Sequence, residues 1–201
     1  MNQASVLVRS GRAPQCAPLR KSARRPWWVW VLPGVALFTV LAYKNRFLFS
    51  TGLHEQGDSA ADSVLIRQAM RLELLTGHYP RYGFFHPGPA YVYVLALGQG
   101  LMYNLLHVVP TPWNGQFFAV FALCGALASM AVAIVYGSTA RVACAAAAFA
   151  VICLLIVNYP EVAVSEWPPC MFVLTYLVFL LAAASVAVRR AGDLWILALS
   201  G

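Results

Sequence analysis

Long runs of apolar residues, separated by short polar breaks, dominate this chain. The runs lie at 26–43, 91–109, 116–136, 142–157 and 171–188, and a further run begins at Leu194. A helix needs about 20 predominantly apolar residues to cross a bilayer, and most of the runs approach that length. Only 10% of the residues are charged, against about 25% in soluble domains. The sequence therefore predicts an all-α fold, a polytopic membrane helix bundle.

The segment before the first apolar run is strongly basic, and no acid occurs before Glu55. A basic segment can bind nucleic acid, but basic residues directly before a span are typical of the cytoplasmic side of a membrane. We therefore predict a disordered cytoplasmic tail over 1–25, no nucleic acid partner, and an uncleaved anchor span over 26–43. An organelle transit peptide is the alternative, and Pro14 and Pro18 disfavour it.

The run at 91–109 decides the topology of everything that follows it. If it crosses the membrane, Arg141, Arg189 and Arg190 lie outside, in short loops where the positive-inside rule weighs most. If it does not cross, all three arginines lie inside. Gly98, Gln99, Gly100 and Asn104 also make this run polar for a lipid-facing span. We predict a re-entrant or surface-lying helix, with an ordinary tilted span as the alternative.

This topology predicts a multi-pass protein of the plasma membrane, the bacterial inner membrane in particular, with a cytoplasmic N-terminus. Residues 26–201 are then the N-terminal part of a helix bundle that continues beyond the sequence. The extracytoplasmic loop is expected over 44–115, with amphipathic or re-entrant helices at 58–76 and 90–109. Further spans are expected at 116–136, 142–157 and 171–188, with a truncated span from Leu194.

Nearly all the acids fall on the predicted outer side, in two separate loops. A carboxylate there can take a proton from an acceptor hydroxyl or amine, or help to hold a divalent cation beside a phosphate. Asp58 is the best-placed base because it opens the helix predicted at 58–76, and helix N-capping is its alternative role. Asp62 follows one turn later. The chain carries no phosphate-binding glycine loop and no zinc motif.

One stretch, GDSAADSVLIRQAMRLELLTGHYPRYGFFHPGPAYVYVLA, resembles the first outer loop of the GT-C superfamily of integral membrane glycosyltransferases. The similarity is carried by Tyr79-Pro80-Arg81-Tyr82-Gly83 and His86-Pro87-Gly88-Pro89. It implies a GT-C-like bundle that transfers a sugar from a polyprenyl-phosphate donor to an extracytoplasmic glycan, lipid or protein. The early acid stands after Gly57 instead of in an adjacent acidic pair, so a divalent cation is only a possible cofactor and its ligands stay open.

The resemblance also implies roles for individual residues. Asp58 is the expected catalytic carboxylate. The expected substrate-binding residues are Asp62, Arg81, Tyr82, His86, Glu161, Glu166 and Trp167. Within this set, Arg81 and His86 would position the donor phosphate and the two glutamates would support the site. A transporter or lipid-handling protein is the alternative function, and a structural membrane subunit is a third.

Overall fold

The computed structural model describes residues 25–55, 57–77, 88–166, 168–187 and 194–200. All regular structure in these residues is helical, which confirms the all-α prediction for them. The α-helices are α1 (Trp28–Lys44), α2 (Asp58–Met70), α3 (Ala90–Gly98), α4 (Pro112–Thr139), α5 (Val142–Asn158), α6 (Glu161–Val164), α7 (Pro168–Ala187) and α8 (Leu194–Ser200). A 3₁₀ helix covers Arg46–Phe49, and a π-helical segment covers Gln99–Leu105.

Helix α4 is the centre of the fold. Helices α1, α3, α5, α6 and α7 all pack against it. Most of its buried residues are apolar, and Val120, Phe121, Cys124 and Ala128 are fully buried. Two of its buried polar residues, Asn114 and Gln116, lie in its first turns. Buried polar groups need hydrogen-bond partners, so this end of α4 carries polar contacts.

Glycine pairs allow two helices to approach α4 closely. A Cβ atom on Gly34 of α1 would lie 2.8 Å from the carbonyl oxygen of Gly125, and one on Gly98 of α3 would lie 2.5 Å from that of Gly115. The Gly34 amide also donates a hydrogen bond to Ser129 Oγ, at 2.8 Å. Contacts between small residues are typical of helices that pack in membranes, where no hydrophobic effect drives association.

Within the described ranges, two helices are long and apolar enough to cross a membrane, at Pro112–Thr139 and Pro169–Ala187. Helices α1 and α5 are also apolar but have 17 residues each, the lower end of the usual range for a span. Helix α1 runs antiparallel to α4, because Gly34 packs on Gly125 and the ring of Trp28 lies 5.6 Å from that of Tyr136.

The helix expected over 58–76 ends earlier, at Met70, and its N-cap is Gly57 instead of Asp58 or Ser59. The end is a Schellman motif: the amide of Glu73 donates to the Gln68 carbonyl at 3.0 Å, and that of Leu72 donates to Ala69 at 2.9 Å. Leu72 has a positive φ of 60°, which ends the helix without the glycine usually found there.

The helix expected over 90–109 is also shorter and less regular. Helix α3 ends at Gly98, and the π-helical segment continues only to Leu105. Both ends of the segment from Pro89 to Thr111 lie against the amino-terminal half of α4. Tyr91 hydrogen-bonds to Glu166, which also contacts Trp113 of α4, and Thr111 is the N-cap residue of α4.

Candidate functional site

Asn114 ties the chain that follows α1 to the start of α4. Its amide nitrogen donates to the carbonyls of Leu48 and Thr51, both at 2.7 Å, and its Oδ1 accepts from the Leu53 amide at 3.1 Å and the Thr111 hydroxyl at 2.7 Å. The side chain is completely buried, and these bonds occupy both of its amide N–H groups and its oxygen. Asn114 is therefore an anchor, and it fixes the loop that carries Glu55.

Glu166 is the most deeply buried carboxylate among the described residues, with 8% of its surface exposed. It follows the single turn of α6 and precedes α7. Trp113 Nε1 donates to its Oε2 at 2.5 Å, and the Tyr91 hydroxyl donates to its backbone oxygen at 2.8 Å. Its other carboxylate oxygen, Oε1, is buried and has no hydrogen-bond partner within the described ranges.

Two further acids act on Glu166, and with it they form what we call the acid cluster: Glu55, Asp62 and Glu166. Burial raises the pKa of Glu166 most strongly, and the negative charges of Asp62 and Glu55 raise it further. The nearby Ser59 hydroxyl and the Trp113 indole, which donates to Oε2, lower it. The net result is a raised pKa, as expected for a carboxyl that is desolvated next to like charges. The cluster therefore joins both loops predicted to be extracytoplasmic.

Gln116 connects the acid cluster to the π-helical segment. It is 2% exposed, and its Nε2 lies 3.5 Å from Glu55 Oε1 and 3.1 Å from Gln99 Oε1. Gln99 is the first residue of the π-helical segment. Since π-helical turns recur at functional sites, these three side chains are part of the candidate site.

Tyr91 of α3 contacts the acid cluster through its hydrogen bond to Glu166. Burial raises its pKa, and the negative charge of Glu166 is the next largest cause. The hydroxyl is therefore neutral at ordinary pH and remains a hydrogen-bond donor to the Glu166 backbone. It holds Glu166 in position without competing for the carboxylate.

An apolar groove of about 840 Å³ lies between α1, α2, α3, the π-helical segment and α4. Its walls include Phe38, Leu97, Leu101, Leu105, Phe118 and Leu123. Tyr93, two residues after Tyr91, also lines the groove. Helix α3 thus contacts Glu166 through Tyr91 and lines the groove through Tyr93.

The residues predicted for the site are only partly brought together. Asp62 lies half-buried on α2 and acts on Glu166. Asp58 is the first residue of α2, one helical turn before Asp62. Glu161 is exposed at the start of α6 and is not among the charges that raise the pKa of Glu166. Arg81, Tyr82, His86 and Trp167 lie outside the described residues.

Sequence reasoning missed Ser59, Tyr91, Gln99, Trp113 and Gln116 as members of the site. Gln116 carried a usable signal, because a glutamine at the start of a long apolar helix needs a buried partner. Trp113 and Tyr91 carried none, since aromatic residues next to an apolar run are typical of a membrane interface.

The described residues contain no group of three or more His, Cys, Asp or Glu side chains arranged to hold a metal ion. The divalent cation therefore stays a prediction. The acid cluster provides a carboxyl in an apolar wall. Two carboxylates flank this carboxyl, together with hydroxyl and indole donors. Such a set can bind polar oxygens and move protons.

No known protein-family model matches the chain, and no curated protein or solved structure matches it either.

Proposed function

We propose that the protein is a GT-C-type membrane glycosyltransferase that moves a sugar from a polyprenyl-phosphate donor to an acceptor outside the cytoplasm. The acceptor is a glycan, a lipid or a protein. The observation that carries the proposal is the acid cluster: Glu55 and Asp62 act electrostatically on Glu166, which is far from them in sequence and is buried beside one half of α4. A helix bundle does not need a buried carboxyl beside like charges for stability, because burying such a group costs free energy.

The apolar groove supports a lipid-linked donor. Its walls are hydrocarbon, and it lies beside the acid cluster along α3. A donor with a prenyl tail and a phosphate-linked sugar has this same division into an apolar part and a polar part. The tail lies in the groove, and the sugar lies at the carboxylates.

Asp58 is the proposed base. As the first residue of α2 it stands one turn before Asp62, which belongs to the acid cluster. A carboxylate in this position takes the proton of the acceptor hydroxyl as the new glycosidic bond forms. Arg81 and His86 hold the donor phosphate, and Tyr82 and Trp167 contact sugar or lipid.

The proposed location is the plasma membrane of a bacterium, with the N-terminus in the cytoplasm. Helices α1, α4, α5 and α7 cross the bilayer, and the segment from Pro89 to Thr111 does not. This proposal is supported by the antiparallel pairing of α1 with α4 and by the position of Pro89–Thr111 against one half of α4. The positive-inside rule supports the proposed topology as well, because Arg25 and Arg141 both lie at the carboxyl-terminal end of α4.

The test is sugar transfer by the full-length protein in lipid nanodiscs, with polyprenyl-phosphate sugars as donors and cell-envelope fractions as acceptors. We expect Asp58→Asn to lower the transfer rate by about 10²–10⁴-fold, the usual contribution of a general base. Glu73→Gln is the matched control, because Glu73 is an exposed acid just after α2. Equal rates for Asp58→Asn and Glu73→Gln would remove Asp58 as the base, and absence of transfer from every donor would refute the function.

A transporter or lipid-handling protein is the second candidate, and one contact favours it. The Cys124 thiol lies 3.6 Å from the carbonyl oxygen of Val162, and Cys124 is twelve residues into α4, about 18 Å along the helix. The loop between α5 and α7 thus folds into the bundle, where ionisable groups serve proton or ion transport. Substrate movement across vesicles, driven by a pH gradient and without sugar transfer, would identify this alternative.

A further inference from the structure

We propose that Glu166 is a proton-carrying binding group: Oε1 holds a proton at neutral pH and donates it in a hydrogen bond to an oxygen of the bound substrate. This inference deepens the proposed glycosyltransferase function and rests on it for the identity of the substrate. The protonation itself does not depend on that function.

The two oxygens of the Glu166 carboxyl have different surroundings. Oε2 accepts the indole N–H of Trp113, so it acts as an acceptor. Oε1 is buried with no hydrogen-bond partner in the described part of the chain. An ionised oxygen left in this state would lose its hydration with nothing in return, at a large cost in free energy. A protonated Oε1 is neutral, and its O–H is a donor that lacks an acceptor among the described residues, which a ligand oxygen would supply.

The groups that face Glu166 favour the neutral form. Asp62 of α2 and Glu55 of the loop after the 3₁₀ helix both repel a negative charge there. Tyr91 of α3 contributes a neutral hydroxyl, and Ser59 and Trp113 contribute uncharged donors. Cys124 of α4 and Cys170 of α7 are the other titratable groups that act on Tyr91. The surroundings of Glu166 therefore favour a neutral carboxyl there.

The ligand chemistry follows from the proton. A neutral carboxylic acid donates to an acceptor oxygen, whether that oxygen belongs to a phosphate or to a sugar hydroxyl. An ionised glutamate in the same place would repel a phosphate. A protonated Glu166 therefore lets an acidic site bind a donor that is itself anionic.

The experiment is infrared difference spectroscopy of the full-length protein in nanodiscs at neutral pH. The wild-type minus Glu166→Gln spectrum is expected to contain the C=O band of a protonated carboxylic acid, which shifts in deuterated water. Titration to high pH should convert that band to carboxylate bands. Glu73→Gln, an exposed acid, should give no such difference. Absence of the acid band at neutral pH, or a band that survives in Glu166→Gln, overturns the proposal.

A second variant keeps the test decisive if Glu166→Gln does not fold. Asp62→Asn removes one of the like charges near Glu166, so the acid band should titrate at lower pH than in the wild type. An unchanged midpoint overturns the role of Asp62 in holding the proton on Glu166.

Adding ligands to the infrared experiment shows whether the acceptor oxygen belongs to a phosphate or to a sugar hydroxyl. A band shift on adding polyprenyl phosphate assigns the contact to phosphate, and a shift only with the sugar-linked form assigns it to a hydroxyl. No shift with either probe overturns the binding role and leaves the protonation intact. Absence of sugar transfer would refute the proposed function without removing the acid band, so the two failures are distinguishable.

Discussion

Glu166 differs from the other described acids in what surrounds its two carboxylate oxygens. Oε2 accepts from Trp113, Oε1 has no described partner, and Asp62 and Glu55 place like charges around it. The sequence identified Glu166 as a supporting acid because of the loop it occupies. It gave no sign of the burial, because burial arises from Tyr91 and Trp113, which arrive from helices 75 and 53 residues away.

The raised pKa of Glu166 makes a prediction about stability. The ordinary pKa of this carboxyl is 4.5. When folding raises the pKa, the carboxyl makes its full contribution to the stability of the folded state at pH values below 4.5. That stability is lost as the pH rises from there through the folded pKa, at about 1.4 kcal/mol per pH unit. Glu166→Gln replaces the group by a neutral one of the same shape, so its stability should not fall over this window.

Thermal unfolding of the wild type and Glu166→Gln between pH 4.5 and 8 checks this sign. The unfolding temperature of Glu166→Gln should rise relative to that of the wild type as the pH rises. The unfolding temperature of Glu73→Gln should stay at a constant difference from that of the wild type over the same range. A wild type that becomes more stable than Glu166→Gln on going to high pH would show that Glu166 is ionised and paired.

At the scale of elements, the sequence predicted the existence of the helices better than their ends. The apolar runs identified the regions of α1, α4, α5 and α7 because a helix that is buried or lipid-facing needs continuous apolar residues. The sequence did not predict where α2 ends, because the Schellman motif there places Leu72, not a glycine, at positive φ. It also missed the π-helical segment, since a change from i+4 to i+5 hydrogen bonding leaves little mark on composition.

The packing of α1 on α4 yields a prediction for Gly34. A methyl group at this position would lie 2.8 Å from the backbone oxygen of Gly125, and backbone cannot move aside as a flexible side chain can. Gly34→Ala should therefore destabilise the protein by about 1–3 kcal/mol, the usual cost of overpacking.

Gly100→Ala is the matched control for Gly34→Ala. A methyl group there meets nothing closer than Met70 Cε, at 3.9 Å, so the substitution should be neutral or stabilising. Unfolding temperatures of the two variants in nanodiscs make the comparison. Equal temperatures would show that α1 and α4 are not in close contact.

At the scale of the whole molecule, charge is divided along α4. The acid cluster lies beside its amino-terminal half, whereas Arg25 packs against Gly137 and Arg141 follows its carboxyl-terminal end. The positive-inside rule predicted this division of charge from the sequence, because the rule depends on the charges of loops and not on contacts between helices. The groove could not be predicted from the sequence, since it forms between helices that are distant along the chain.

The topology predicts which residues are reached from outside. Single cysteines at Ala90 and Pro110, in a protein otherwise free of cysteine, should both react with a membrane-impermeant thiol reagent added to intact cells. A cysteine at Arg141 should be protected until the membrane is opened. Opposite sidedness of Ala90 and Pro110 would mean that the segment between them crosses the bilayer.

In the proposed function, carboxylates from two loops act as one site. A double-mutant cycle on sugar transfer, with Asp62→Asn and Glu166→Gln, measures this directly. Residues that share a site should show a coupling of about 0.5–3 kcal/mol, so the double variant should lose less activity than the two single losses combined. The cycle of Glu73→Gln with Glu166→Gln should be additive. Additive losses for Asp62 and Glu166 would contradict the claim.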